Sequence, residues 1–248
     1  MKPILLITGG SRGIGAATAL LAAQQGFAVA VNFARNASAA NGIVRRIQDT
    51  GGTAIAVQAD VAQEPQVIAM FEEIDARLGQ LTALVNNAGV VDVATRVENM
   101  TLERLKRMFD INVFGSFLCA REAIKRMSTR HGGSGGAIVN VSSVAARLGS
   151  AGQYVDYAAA KGAIDSFTIG LARELAQEGI RVNAIRPGIV DTDIHASGGQ
   201  PERAQQLASS IPMQRAGTAQ EIAQSVVWLL SDQSSYTTGA LLDVAGGR

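Results

Sequence analysis

The sequence is short of several things, and each shortage removes a class of answers. Its single cysteine, Cys119, cannot close an intramolecular disulfide. A lone thiol fits a reducing, cytoplasmic compartment, and in the apolar part of a helix it reads as a small buried hydrophobe. The two histidines, His131 and His195, have no partners at metal-ligand spacing, so a zinc-type site is not expected. Charged residues are 17% of the chain and nearly cancel, leaving a formal net charge of +1. There is thus neither a basic field for nucleic acid nor an acidic disordered arm. The first apolar run meets glycine at Gly9, too soon for a secretory signal or a membrane span.

What is present is apolar and regularly interrupted. A chain of 248 residues, 47% hydrophobic, can bury one large core, and it fits one domain over 1–248 better than two. Short β-branched runs predict strands at Ile4–Thr8, Ala28–Asn32, Thr53–Gln58, Ala83–Asn86, Ala137–Val141, Arg181–Ile185 and Leu241–Val244. Helical periodicity predicts helices at Gly13–Gln25, Ala37–Thr50, Gln63–Leu78, Leu102–Arg130, Val155–Gln177 and Ala219–Leu230. The strands show little polar alternation, so both sheet faces should be covered. The expected fold is α/β: a single-domain, doubly wound, parallel seven-stranded sheet with helices on both faces. The glycine-dense His131–Gly136 reads as a flexible surface turn. The polar 193–212 segment reads either as a lid over a ligand or as an ordinary connector. His195, inside it, either touches a ligand or is a solvated loop side chain.

The first strand runs through Thr8-Gly9-Gly10-Ser11-Arg12-Gly13-Ile14-Gly15 straight into a helix. Glycines lacking Cβ let backbone amides approach a pyrophosphate, and the helix N-terminus adds unpaired N–H groups and partial positive charge. The spacing differs from the common G-x-G-x-x-G fingerprint, so position after the first strand is what gives it meaning. Further on, Tyr157-Ala-Ala-Ala-Lys161 puts a phenol and an ammonium one helical turn apart. A phenol has an ordinary pKa near 10, and a nearby cation should lower it toward a working acid–base range.

These motifs resemble the short-chain dehydrogenase/reductase family over nearly the whole chain, and especially bacterial oxidoreductases of the glucose-dehydrogenase type. The resemblance rests on the Gly9–Gly15 turn, Asp60-Val61, Asn86-Asn87-Ala88-Gly89, Asn112, Ser143, Tyr157/Lys161 and Pro187-Gly188. It implies a catalytic set of Asn112, Ser143, Tyr157 and Lys161. It implies cofactor contacts from Gly9, Ser11, Arg12, Gly13, Ile14 and Gly15, and from Asp60 and Val61 at the adenine. Asn87, Ala88, Gly89, Tyr157, Lys161, Pro187, Gly188, Ile189 and Thr192 would lie along the nicotinamide half. The family commonly places the serine thirteen residues before the tyrosine, where this chain has Val144. A one-residue longer approach to Tyr157 selects Ser143 over Ser142. Asn112 resembles an asparagine that bends its helix and holds a water near the lysine; alternatively it bonds local backbone. Tyr154 either lines the pocket or packs in the core.

One more absence concerns the cofactor. NAD-dependent members commonly end the second strand with a carboxylate, and the matching residue here is Phe33. Nothing there repels a 2′-phosphate, and Arg12 and Arg35 could reach one, unless both are simply solvated surface charges. NADP (NADPH) is therefore expected, with NAD possible. The expected activity is hydride transfer between nicotinamide and a carbonyl/alcohol pair on a sugar, polyol or other small carbonyl compound. The alternatives are a 3-oxoacyl carrier-protein reductase and a catalytically silent nucleotide sensor. Lys125, Arg126 and Arg130 could meet an acidic carrier, whereas the acidic Glu178 counts mildly against one. The resemblance also implies a homotetramer, with the Leu102–Arg130 and Val155–Gln177 helices pairing across one interface and Tyr236–Arg248 near another.

Overall fold

The apolar strand runs form one all-parallel sheet of order β3-β2-β1-β4-β5-β6-β7. The computed structural model describes residues 2–248, apart from the side chain of His195. The strands are β1 (Ile4–Ile7), β2 (Ala28–Phe33), β3 (Thr53–Gln58), β4 (Ala83–Asn86), β5 (Gly136–Val141), β6 (Ile180–Pro187) and β7 (Leu241–Val244). Successive residues of a strand feed two separate cores. Leu5, Ile7, Val29, Val31, Val85 and Val139 pack under α1 (Gly13–Gln24), α2 (Ala37–Asp49) and α10 (Ala219–Leu230). Ile4, Leu6, Leu84, Ile138 and Val182 pack under α3 (Glu64–Arg77), α5 (Gly115–Met127) and α7 (Val155–Leu175). Burial on both faces is why these strands lack polar alternation.

The helix expected at Leu102–Arg130 is instead two helices. A π-turn at Asp110–Phe114 joins α4 (Leu102–Phe109) to α5, and Asn112 sits inside it, fully buried. Such turns insert a residue into the helical ladder and are common at functional sites. Short helices not foreseen from periodicity are α6 (Ala145–Leu148), α8 (Ile194–Ser197) and α9 (Arg203–Leu207), the last two within 193–212. They are too brief to show a 3.6-residue pattern.

The His131–Gly136 turn is not the loose surface turn expected. A Cβ at Gly135 would lie 2.4 Å from the Gly179 carbonyl oxygen, and one at Gly136 would lie 2.0 Å from that of Thr82. These glycines permit backbone-to-backbone contact at the entry to β5. Cys119 is fully buried in α5, and burial pushes its thiol up to about 12. Among the described residues no helix is long and apolar enough to cross a membrane.

The sheet order reverses between β1 and β4, the strands' C-terminal ends open there, and parallel α/β proteins bind ligands at that crevice.

Candidate active site

The glycine turn is built by polar staples behind it. Asn32, buried at the end of β2, accepts a hydrogen bond from the Gly9 N–H at 3.1 Å and donates to the Ala59 carbonyl at 3.0 Å. Its own carbonyl accepts from the Gly10 N–H at 2.8 Å. The Thr8 hydroxyl accepts from the N–H groups of Asn87 and Ala88 at 3.0 and 2.9 Å, and the Asn87 amide donates back to the Thr8 and Gly9 carbonyls. A Cβ at Gly15 would stand 2.6 Å from the Asn87 amide nitrogen and from the Gly9 carbonyl oxygen. Helix α1 begins with no side-chain cap and no acid in its first turn, so its first amides remain available to an anion. This cradle fits a dinucleotide phosphate.

Across the crevice, α7 presents the side chains of Tyr157 and Lys161. Lys161 is 4% exposed and donates from Nζ to the Val141 carbonyl at 2.7 Å. Its Nζ lies 5.6 Å from the Tyr157 ring centre. Burial lowers the Lys161 pKa to about 8, against the pull of Asp165. Burial pushes the Tyr157 phenol up to about 12, and a hydrogen bond with Ser143 acts in the opposite direction. The expected lowering of the phenol by Lys161 is therefore not found in the protein alone; desolvation is the larger effect.

Both serines border the same cavity, but their hydrogen bonds differ. Ser142 is buried and donates to the Asp165 carboxylate at 2.7 Å and to the Lys161 carbonyl at 3.2 Å. Arg186 holds the other Asp165 oxygen at 2.8 Å. Ser142 thus belongs to the scaffold, and Ser143 is the serine hydrogen-bonded to Tyr157.

One cavity gathers Ile14, Asn87, Gly89, Ser143, Tyr157, Lys161, Pro187, Gly188, Ile189 and Thr192 from the sequence-derived set. Gly9, Gly13 and Gly15 stand behind its rim: a Cβ on Gly13 would be 3.5 Å from the Thr192 side chain. Ser11, Arg12, Arg35, Asp60, Val61 and Ala88 do not line it. Val61 is buried, and one Asp60 oxygen accepts the Ala62 N–H at 3.0 Å. Arg12 and Arg35 are exposed at the ends of the turn and of β2, while Phe33 is buried. Asn112 also stays out of the cavity. Its amide donates to the carbonyls of Val90 and Met108 at 3.0 and 2.9 Å, and its oxygen accepts from the Val90 N–H at 3.1 Å. The side chain clamps the segment after β4, as the local-backbone alternative foresaw.

Tyr154 does both things foreseen for it, being buried and lining the cavity. A substrate contact by the His195 side chain lies outside the described residues. Sequence reading missed several groups. The Asp156 side chain is fully buried and paired with Arg104, with Nε to Oδ2 at 2.7 Å and Nη2 to Oδ1 at 3.2 Å. Its Oδ1 also accepts the Tyr157 N–H at 3.0 Å, fixing the first turn of α7. Arg203 and Arg248 line the cavity. Both are cations in polar, glycine-rich stretches, the only hint available in sequence. The basic residues considered for carrier docking lie elsewhere, at the strands' N-terminal edge before β5. Lys125 pairs with Glu122, Arg126 with Asp75 and Glu122, and Arg130 with Glu178. Glu178 is buried and accepts the Ser128 hydroxyl at 2.5 Å, so its charge serves that turn.

A family model described as Enoyl-(Acyl carrier protein) reductase matches residues 9–248. The chain is 58% identical over 245 residues to the uncharacterized oxidoreductase YgfF of Escherichia coli, covering 99% of each. A gluconate 5-dehydrogenase from Burkholderia cenocepacia, crystallised with NADP and tartrate, superposes with a TM-score of 0.89 at 32% identity. That likeness covers 99% of this chain and 94% of that one. A double mutant of a Serratia marcescens short-chain dehydrogenase/reductase gives a TM-score of 0.90 at 35% identity, covering 99% and 97%. The chain therefore belongs to the short-chain dehydrogenase/reductases, oxidoreductases that use a nicotinamide cofactor on a CH–OH/carbonyl pair.

Proposed function

We propose that this enzyme is an NADP(H)-dependent reductase/dehydrogenase of a sugar, polyol or other small carbonyl compound, with Ser143, Tyr157 and Lys161 as its catalytic residues. The observation that carries the reading is the meeting of those three side chains in one cavity at the sheet's reversal point, opposite the glycine cradle. When bound, nicotinamide supplies or accepts the hydride. The protein's part is proton transfer and charge stabilisation. With its pKa near 12, the Tyr157 phenol is protonated at neutral pH, the state that gives a proton to a carbonyl oxygen during reduction. Ser143 donates a hydrogen bond to that same oxygen as charge develops on it. Below pH about 8, Lys161 is an ammonium and favours the phenolate left behind. Asn112 acts through position, holding the Val90 backbone beside Gly89. Oxidation of an alcohol runs the same steps backwards and needs the phenolate.

The preference for NADP(H) is supported by Phe33, buried where a carboxylate would repel a 2′-phosphate, and by Arg12 and Arg35. Neither arginine has an ion pair among the described residues. The segment 193–212, with α8 and α9, serves as a lid over the substrate side. Phe114 and Phe117, exposed on the π-turn and α5, belong to the subunit interface of a homotetramer. The carrier-protein reductase reading is weaker, because its candidate docking cations are internally paired and sit at the wrong end of the sheet.

A panel of small carbonyl compounds, assayed with NADPH and NADH in wild type, Tyr157→Phe and Arg12→Ala/Arg35→Ala, tests the proposal. Turnover that requires Tyr157 and an NADPH preference that falls in the arginine variant are expected. Turnover confined to acyl-carrier substrates favours the alternative. Cofactor binding without any turnover favours a sensor.

A further inference from the structure

The charged side chains that line the cavity are all of one sign. Lys161, Arg203 and Arg248 line it, and no aspartate or glutamate does so among the described residues. Lys161 has its proton chemistry, with Asp165 within electrostatic reach. The two arginines have no such account. The Arg203 guanidinium lies 5.2 Å from the Tyr154 ring centre, steadied by the amide oxygens of Gln200 and Gln153 at 2.6 and 2.7 Å. Neutral acceptors orient that charge without cancelling it. At Arg248, Nη1 is shut off from solvent and has no hydrogen-bond partner among the described residues. Arg147 donates to the Arg248 main-chain oxygen at 3.1 Å, and the Asp243 side chain is shared between Arg147 and Arg186.

A guanidinium N–H withdrawn from water without an acceptor is costly, and buried charges are ordinarily paired. The rest of the half-buried Arg248 side chain borders the cavity, which is where its charge can meet a partner. Planar guanidinium groups suit oxyanions, which they bind through two parallel N–H bonds. The dinucleotide's own phosphates are served elsewhere, at the Gly9–Gly15 turn. We infer that the substrate carries an oxyanion away from its reacting carbonyl, a carboxylate foremost. Arg248 is the principal contact and Arg203 the second, so the substrate is a small oxo- or hydroxy-acid and not a neutral sugar. This rests on the reductase reading above and narrows it.

Three matched ketones of equal carbon number test it: an oxo-acid, a ketose phosphate and a neutral polyhydroxy ketone, each reduced with NADPH by wild type, Arg248→Gln and Arg248→Lys. Wild type should favour an anionic substrate over the neutral one by roughly 10- to 100-fold in kcat/KM, the worth of a charge-assisted hydrogen bond. Arg248→Gln should erase that ratio, chiefly through KM for the acid, Arg248→Lys should restore part of it, and the KM for NADPH should move far less. The carboxylate and phosphate arms decide between the two oxyanions. Equal rates on neutral and anionic ketones, or equal losses on both in Arg248→Gln, overturn the inference and leave the reductase reading standing. No reduction of any carbonyl overturns that reading instead. The oxyanion site is then read by titrating a non-reacting hydroxy-dicarboxylate into the NADPH complex and following cofactor fluorescence. Weaker binding in Arg248→Gln supports the site, and equal binding in both proteins refutes it.

Discussion

The two walls of the cleft are made differently. The wall we propose for the cofactor is mainly backbone: Gly9, Gly10 and Gly15 brought close by the neutral staples Asn32, Thr8 and Asn87, with Arg12 exposed at its edge. The wall we propose for the substrate is side chain: Tyr157, Lys161, Arg203 and Arg248, drawn from α7, α9 and the stretch after β7, with buried ion pairs behind α7. A backbone wall depends on glycine spacing and is shared across many chemistries. A side-chain wall depends on which distant residues happen to meet, and it decides what reacts.

If the walls are separable, damage to one should spare the other. The largest effect is expected from Arg104→Met, which leaves the buried Asp156 without its counter-charge. Such breaks cost about 3–5 kcal/mol, and denaturant unfolding should record that loss. The same variant should lower kcat, because α7 starts at Asp156-Tyr157, while the NADPH dissociation constant changes far less. Adding Asp156→Leu should recover much of the stability; failure to recover it would mean the pair is not the source of the loss. Ser143→Ala should lower kcat by about 10²–10³-fold, the cost of losing one donor to a developing oxyanion. Ser142→Ala should instead lose about 1–3 kcal/mol of stability by stripping a partner from Asp165, with the smaller effect on kcat. The reverse pattern would exchange their roles. On the cofactor wall, Asn32→Ala unpairs the Gly9 N–H and should raise the NADPH dissociation constant by about 10-fold, measured by cofactor fluorescence. A larger change in kcat than in that constant would break the separation.

The smallest effect is on pH. Lys161 carries its charge below about 8, so carbonyl reduction should decline as pH rises through that value. The sign for stability is opposite. The folded-state value lies below the ordinary 10.5, so the charged lysine opposes folding below about 8. Its contribution to stability should therefore improve as pH climbs from about 8 toward 10.5. A reduction rate flat across pH 7–9 would remove the ammonium from the chemistry.

The same contrast explains what could be read in the sequence. Strand–helix alternation gave the sheet, and the Gly9–Gly15 spacing marked the cofactor wall, because both depend on residues close in the chain. The register argument reached Ser143 for the same reason, and Ser142, buried against Asp165, leaves Ser143 as the serine we propose. The bend at Asn112 is implied by the family resemblance and not by periodicity, since the residues of the π-turn keep helical spacing and only the ladder shifts. The packed Gly135–Gly136 turn was misread as loose, because composition does not reveal what backbone lies opposite. Arg104 and Asp156 are 52 positions apart, and Arg203 and Arg248 meet the cavity only through the fold. The direction of the Tyr157 shift was also out of reach, as neighbouring charge can be read from spacing and desolvation cannot.

The central claim is that Tyr157 moves the proton in this cleft. Single-turnover reduction of a carbonyl substrate by the preformed NADPH complex, comparing wild type with Tyr157→Phe at pH 7, tests it most directly. The account predicts a fall of about 10³-fold in the rate of nicotinamide oxidation, far beyond any change in NADPH affinity measured on the same samples. A Tyr157→Phe rate within a few-fold of wild type would contradict it.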